Sequence, residues 1–253
     1  MLIRIVVTFA VQQEFAPWRR IREFIRVRSS EVPIYFTDCG GAEVKVLITG
    51  VGTRNAHAEL RRMLTQPTDA CVVCGLAGSL KRQHPVGTIL AAKAIKRNNT
   101  ERVMSSEDCL VKIAAQHGAT PVDFFYTSDS VVGSASEKLR LGEFADAVDM
   151  ESFQVMTQAS LHGVPAVAVR AVSDPMNRDV PFDFNRAIDE HGEIDWLPVL
   201  AQVAGTPWRL PQMIRFGFES SRASRNLARF LERYLNCLAA DAILYSDHVG
   251  WEA

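Results

Sequence analysis

Val164-Pro-Ala-Val-Ala-Val-Arg-Ala-Val-Ser-Asp174 is an almost unbroken apolar run that stops on two polar residues and then Pro175. A run of this length, closed by a turn signal, reads as a strand buried on both faces, here Val164 to Val172. Just upstream, Ala147-Val-Asp149 leads through Met150 into a helix from Glu151 to Leu161. Asp149-Met-Glu151 and Ser173-Asp174 therefore stand at the carboxyl ends of strands, where α/β folds build their ligand crevice.

The same alternation continues outward. Leu2–Ala10 reads as a strand, and Phe15, Trp18, Ile21, Phe24 and Ile25 mark a helix with Pro17 in its first turn. Val32–Asp38 and Glu43–Thr49 form a hairpin about Gly40-Gly41. Thr53 reads as the N-cap of a helix to Leu64. Ala70–Cys74 is a short strand ending in Gly75-Leu-Ala-Gly78-Ser, followed by strands at Val86–Ile95 and Val122–Tyr126 and helices at Glu107–Gln116 and Ser136–Phe144. Strands alternating with helices predict an α/β fold, three layers α/β/α about a central mixed sheet.

The chain has 253 residues and a net charge of −1, from 28 Lys+Arg and 29 Asp+Glu. No whole-protein basic field exists for nucleic acid, so a small molecule is the expected partner. Five scattered cysteines and a first segment without export features point to a reducing, cytoplasmic setting. Cys71 and Cys74, three apart in a strand, face opposite ways, and no second Cys or His pair completes a metal site. No metal and no cofactor is expected.

Residues 1–205 read as one catalytic domain and 206–253 as a basic helical extension packed on it. Thr206–Leu235 carries six arginines against two glutamates, and Leu227, Phe230, Leu231, Tyr234, Leu235 and Leu238 recur at helical spacing. Such a stripe is expected to pack on the domain; the other reading is peripheral contact with an acidic membrane surface.

Thr49-Gly-Val-Gly-Thr-Arg-Asn-Ala56, Cys74-Gly-Leu-Ala-Gly-Ser-Leu80, Val86-Gly-Thr-Ile89, Ala147-Val-Asp-Met-Glu-Ser152 and Val169-Arg-Ala-Val-Ser-Asp174 resemble, in order, the motifs of the purine nucleoside phosphorylase and methylthioadenosine/S-adenosylhomocysteine nucleosidase superfamily. The Val-Asp-Met-Glu and Arg-Ala-Val-Ser-Asp blocks are the most specific. Residues 176–236, with Asp195-Trp-Leu-Pro-Val-Leu, look more like the hopanoid-associated branch, whose implied substrate is an adenosine carrying a large lipid at its 5′ carbon. The resemblance also implies a homodimer or larger homo-oligomer.

That chemistry wants acids. Breaking an N-glycosidic bond leaves positive charge on ribose and negative charge on the departing purine. The resemblance implies Asp174 as the general acid at purine N7, and such help is worth roughly 10²–10⁴ in rate. An Asp in water loses its proton near pH 3.9, so Asp174 is expected to be buried or beside other negative charge. Glu151 would bind the ribose 2′ and 3′ hydroxyls and Met150 would pack on the sugar. Glu14 would activate water on the opposite face, although a glutamate in a helix's first turn also has a structural use. Leu76, Ala77, Gly78, Asp129, Val131, Val132 and Ser173 are the implied surroundings of the base.

The superfamily's phosphorylases place an Arg and a Ser where this chain has Val73 and Leu76, and a Gly-Asp-Pro loop where it has Phe9–Glu14. Phosphate needs cationic and N–H donors, so hydrolysis is favoured; Arg54 and Arg170 are the candidates for an anion site, or else for surface ion pairs. The alternatives are a phosphate-dependent phosphorylase and a nucleoside-binding protein without turnover.

Overall fold

The structure, a computed structural model, describes residues 2–28, 30–53, 56–98, 100–183 and 205–248. Arg54 and Asp195–Leu200, singled out above, lie outside them.

In chain order the elements are β1 (Ile3–Phe9), α1 (Gln12–Arg19), β2 (Ile25–Arg26), β3 (Ile34–Cys39), β4 (Ala42–Ile48), α2 (His57–Leu64), β5 (Ala70–Ser79), β6 (Ile89–Arg97), β7 (Met104–Ser105), α3 (Asp108–Gln116), β8 (Thr120–Thr127), α4 (Ala135–Leu141), β9 (Ala147–Asp149), α5 (Ser152–Leu161), β10 (Ala166–Asp174) and α6 (Leu210–His248). The fold is α/β with a central mixed sheet. β1 lies parallel to both β4 and β5, and β5 is parallel to β10, while β10 is antiparallel to β6. β6, β8 and β9 then run parallel, and β9 returns antiparallel to the far end of β5 at Gly78 and Ser79. Five strands (β5, β10, β6, β8, β9) thus close a ring, and β1, β4, β3 and β2 extend it as an open wing.

Period-two alternation divides the core. Ile5, Val7, Phe9, Val72, Cys74, Val167 and Val169 face a cluster that includes Phe15, Leu110, Phe230 and Tyr234. Val6, Cys71, Val73, Ala168 and Val172 face another with Leu60, Val155 and Met156. α1, α3 and α6 therefore cover one face, and α2 and α5 the other. Cys71 and Cys74 do point to opposite faces, and burial alone pushes the Cys71 thiol up to about 12, which makes it an inert packing group.

α6 is part of the core. Leu227, Phe230, Leu231, Tyr234 and Leu235 are fully buried, Tyr234 Oη donates to Leu110 O at 3.0 Å, and Glu232 accepts Trp18 Nε1 at 3.0 Å. This apolar stripe faces the sheet. Among the described residues, no helix is long and apolar enough to cross a membrane.

Local differences from the sequence reading have local causes. β5 runs through Gly75 and Gly78 to Ser79 instead of ending at Cys74. α1 stops at Arg19, and Ile25 belongs to β2, paired with Phe36. Thr53 is not an N-cap: its φ is 61°, and α2 begins at His57 after Ala56.

Candidate active site

Glu14 is the third residue of α1, and its Oε2 turns back to accept Ala10 N at 3.1 Å and Val11 N at 3.4 Å. That satisfies otherwise orphaned donors at the helix start. Its Oε1 reaches across to β5 and accepts Leu76 N at 2.8 Å. The structural use anticipated for this glutamate is present, and it also fixes the carboxylate against the middle of β5. Burial pushes the Glu14 carboxyl above its ordinary range, and Arg170 partly opposes this.

Gly75 is where this crowding is resolved. A Cβ there would stand 2.1 Å from Arg170 Nη1 and 3.1 Å from Glu14 Oε1. No residue with a side chain fits without displacing the guanidinium.

Arg170 is 1% exposed, in the middle of β10. It is not the surface ion pair that was one expectation. Its Nε lies 3.0 Å from Asp149 Oδ2, Nη1 donates to Cys74 O at 3.3 Å, and Nη2 donates to Ser152 Oγ at 3.1 Å and to Glu151 Oε2 at 3.5 Å. Asp149 also accepts Thr127 Oγ1 at 2.8 Å. Three carboxylates (Glu14, Asp149, Glu151) thus share one buried cation.

Glu151 stands at the N-cap position of α5, but its carboxylate turns away from the helix, and Oε1 accepts Gly52 N at 3.2 Å. Gly50 and Gly52 both have φ of 73°, a conformation open to glycine at little cost, and this turn aims the Gly52 N–H at the carboxylate. Burial first, opposed by Arg170 and reinforced by Asp149 and Glu14, pushes Glu151 up to about 7. Met150, half-buried, stands between Asp149 and Glu151.

Asp174 closes β10. A register shift after Val172 sets it opposite Gly78, where a Cβ would come within 3.1 Å of Asp174 Oδ2. Gly75 and Gly78 are three residues apart, roughly 10 Å along a strand. Glu14 and Arg170 therefore gather at one glycine of β5 and Asp174 at the next, and Glu151 joins the first group through Arg170 Nη2. Ser173 Oγ lies 2.7 Å from Asp174 Oδ1 and 3.2 Å from Ala77 O. The nearest charge to Asp174 is not negative, as expected above, but positive: the ammonium of Lys138, which is completely buried.

The remaining candidates divide. Leu76 gives its N–H to Glu14 and packs against the sheet core. Ala77 is buried. Val131 lines a cleft of about 490 Å³ with Gly133, Val180 and Phe182. Val132 points instead into a small core with Leu80, Leu141 and Val148, and the Asp129 carboxylate is taken by Arg97 at 2.6 Å. Arg170 was named only as a candidate anion site, and Asp149, Ser152 and Lys138 were given no role. For Arg170 a signal existed: a charge inside a strand buried on both faces must be paired.

A pH dependence follows. If Glu151 holds the ribose hydroxyls as a carboxylate, as the resemblance implies, kcat/KM for a purine nucleoside should rise with pH through about 7. The sign for stability is opposite. A carboxyl raised in the folded state contributes stability below its unfolded value, 4.5, and loses it as pH rises to about 7. A Glu151→Gln variant with the same ascending limb would remove Glu151 as its source.

The sequence profile described as phosphorylase superfamily matches residues 4–194. A 5′-methylthioadenosine/S-adenosylhomocysteine nucleosidase of Staphylococcus aureus is 22% identical over 195 residues, covering 68% of this chain and 86% of that protein. Among solved structures, the Campylobacter jejuni 5′-methylthioadenosine/S-adenosylhomocysteine nucleosidase superposes with a TM-score of 0.71 at 15% identity, over 93% of this chain and 99% of the other. Helicobacter pylori futalosine hydrolase superposes with a TM-score of 0.69 at 16% identity, over 93% and 98%. With most of its length matched by the family profile, the chain belongs to the phosphorylase superfamily, a group of nucleosidases and nucleoside phosphorylases.

Proposed function

We propose that the protein hydrolyses the N-glycosidic bond of a 5′-substituted purine nucleoside and releases adenine. The observation that carries this is the grouping of acids along β5: Glu14 at Gly75, linked through Arg170 to Glu151, and Asp174 beside Gly78. Asp174 protonates purine N7 as the bond to the sugar breaks. Glu151 holds the ribose hydroxyls, and its charge favours the cationic sugar of the transition state. Glu14 takes a proton from the attacking water, and its separation from Asp174 suits attack opposite the departing base. Ser173, Ala77, Gly78 and Val131 border the base, with Met150 and Leu76 toward the sugar.

Water is preferred to phosphate because the guanidinium at Glu14 and Glu151 has its donors committed to Asp149, Ser152, Cys74 O and Glu151. A phosphate dianion there would have to displace a carboxylate. Adenine release should proceed equally fast with and without inorganic phosphate. A strict phosphate requirement would make the protein a phosphorylase. Offering methylthioadenosine, S-adenosylhomocysteine and an adenosine with a long apolar 5′ chain in the same assay ranks the substituents. Leu76 supports an apolar one, adenosyl-hopane being the candidate from the resemblance.

A further inference from the structure

Lys138 lies on α4, whose Ser134 caps the helix by accepting Glu137 N at 3.2 Å. One turn in, Lys138 and Leu141 face inward. The lysine is 0% exposed, which is rare for this residue unless it is paired. Its Nζ contacts Asp174 Oδ2 and donates to Pro175 O at 3.4 Å and Arg178 O at 3.2 Å. The three donors of the ammonium thus meet three acceptors, all from the segment that leaves β10.

The other Asp174 oxygen is held by Ser173 Oγ. Of the two groups, only the ammonium bears an ionisable proton for the carboxylate. The other acidic groups near the start of α4 are Asp179, whose Oδ1 accepts Ala135 N at 2.7 Å, and Glu137. Neither has a contact with Lys138. A lysine wanted only to bind the 174–178 segment would be served by the two carbonyls. This one is aimed at the carboxylate.

We propose that Lys138 is the positioning residue for Asp174 and the store of the proton that Asp174 passes to the base. The inference rests on the nucleoside-cleavage reading above. As the glycosidic bond breaks, its electron pair goes to the purine. A proton moves from Lys138 Nζ to Asp174 and from Asp174 to purine N7. Water adds to the sugar carbon and gives its proton to Glu14. Solvent returns that proton to the neutral amine. An ammonium facing a carboxylate and a neutral amine facing a carboxylic acid hold the same number of protons, so the transfer between them needs none from solvent. Asp174 thereby acts as an acid without being protonated beforehand.

Lys138→Arg is the deciding variant, because a guanidinium keeps the charge and the hydrogen bonds but does not give up its proton. We expect it to fold with a thermal midpoint near that of the unaltered protein and a similar KM. Its kcat should fall at least about 10-fold, within the range of general-acid effects. Lys138→Met should lose kcat too, and the descending limb of its pH–kcat profile should move to lower pH, because the proton is then held by Asp174 alone. Lys138→Arg with unaltered kcat and an unaltered pH profile overturns the inference while leaving nucleoside cleavage standing. If the unaltered protein releases no base from any purine nucleoside, the cleavage reading falls and this inference with it.

Discussion

Asp174→Asn is expected to lower kcat for adenine release by roughly 10²–10⁴ while KM changes by no more than a few-fold. The substitution is nearly isosteric. An asparagine retains an oxygen for Ser173 Oγ or for Lys138 Nζ, and the register shift that sets residue 174 opposite Gly78 does not depend on the carboxylate. What is lost is the group that accepts a proton from one side and delivers it on the other. Because that contribution arises only as charge develops on the base, it appears in kcat and not in substrate binding. The measurement is initial-rate adenine release at saturating nucleoside, with thermal unfolding alongside to verify the fold. A variant within a few-fold of the unaltered kcat would dismiss Asp174 as the acid. Combined with Lys138→Met the losses should be far from additive, since the two residues handle one proton.

The layers were legible in the sequence because the sheet is made of apolar runs whose alternation survives intact in β1, β5 and β10. Tertiary contacts defeated the local signals elsewhere. Gly75 and Gly78 read as the end of a strand, since glycine usually punctuates. Here β5 continues through both: Arg170 approaches Gly75 too closely for any Cβ, and Asp174 packs tightly against Gly78. Thr53 read as an N-cap from its hydroxyl, but its positive φ belongs to the turn that brings Gly52 N to Glu151. Lys138 gave no sign at all: among the alternating polar and apolar residues of α4, nothing local distinguishes a lysine that faces solvent from one that meets the end of a strand 36 residues later. Motif order pointed to the acids, while the charge beside each one, Arg170 by Glu151 and Asp149 and Lys138 by Asp174, required the fold. Only packing shows what each acid is charged against.

Arg170→Met should cost about 3–5 kcal/mol of folding stability, a fall of roughly 10 °C in the unfolding midpoint for a chain of this size. Methionine nearly fills the volume, so the loss reports charge and not a cavity. In its absence Glu14, Asp149 and Glu151, all buried, face one another without a cation. Burial already pushes Glu14 and Glu151 upward with Arg170 present, and removing the cation drives them further in the same direction. The cost is therefore itself pH-dependent. At pH 8 the variant must hold buried carboxylates or protonate them against solvent, and the full loss is expected. Near pH 5 protonation is cheap, and the gap to the unaltered protein should narrow. Urea unfolding of both proteins at these two pH values separates this from a packing effect, which would give the same difference at each. An undiminished gap at pH 5 would mean that Arg170 serves by shape, and that the carboxylates around it are not held by its charge.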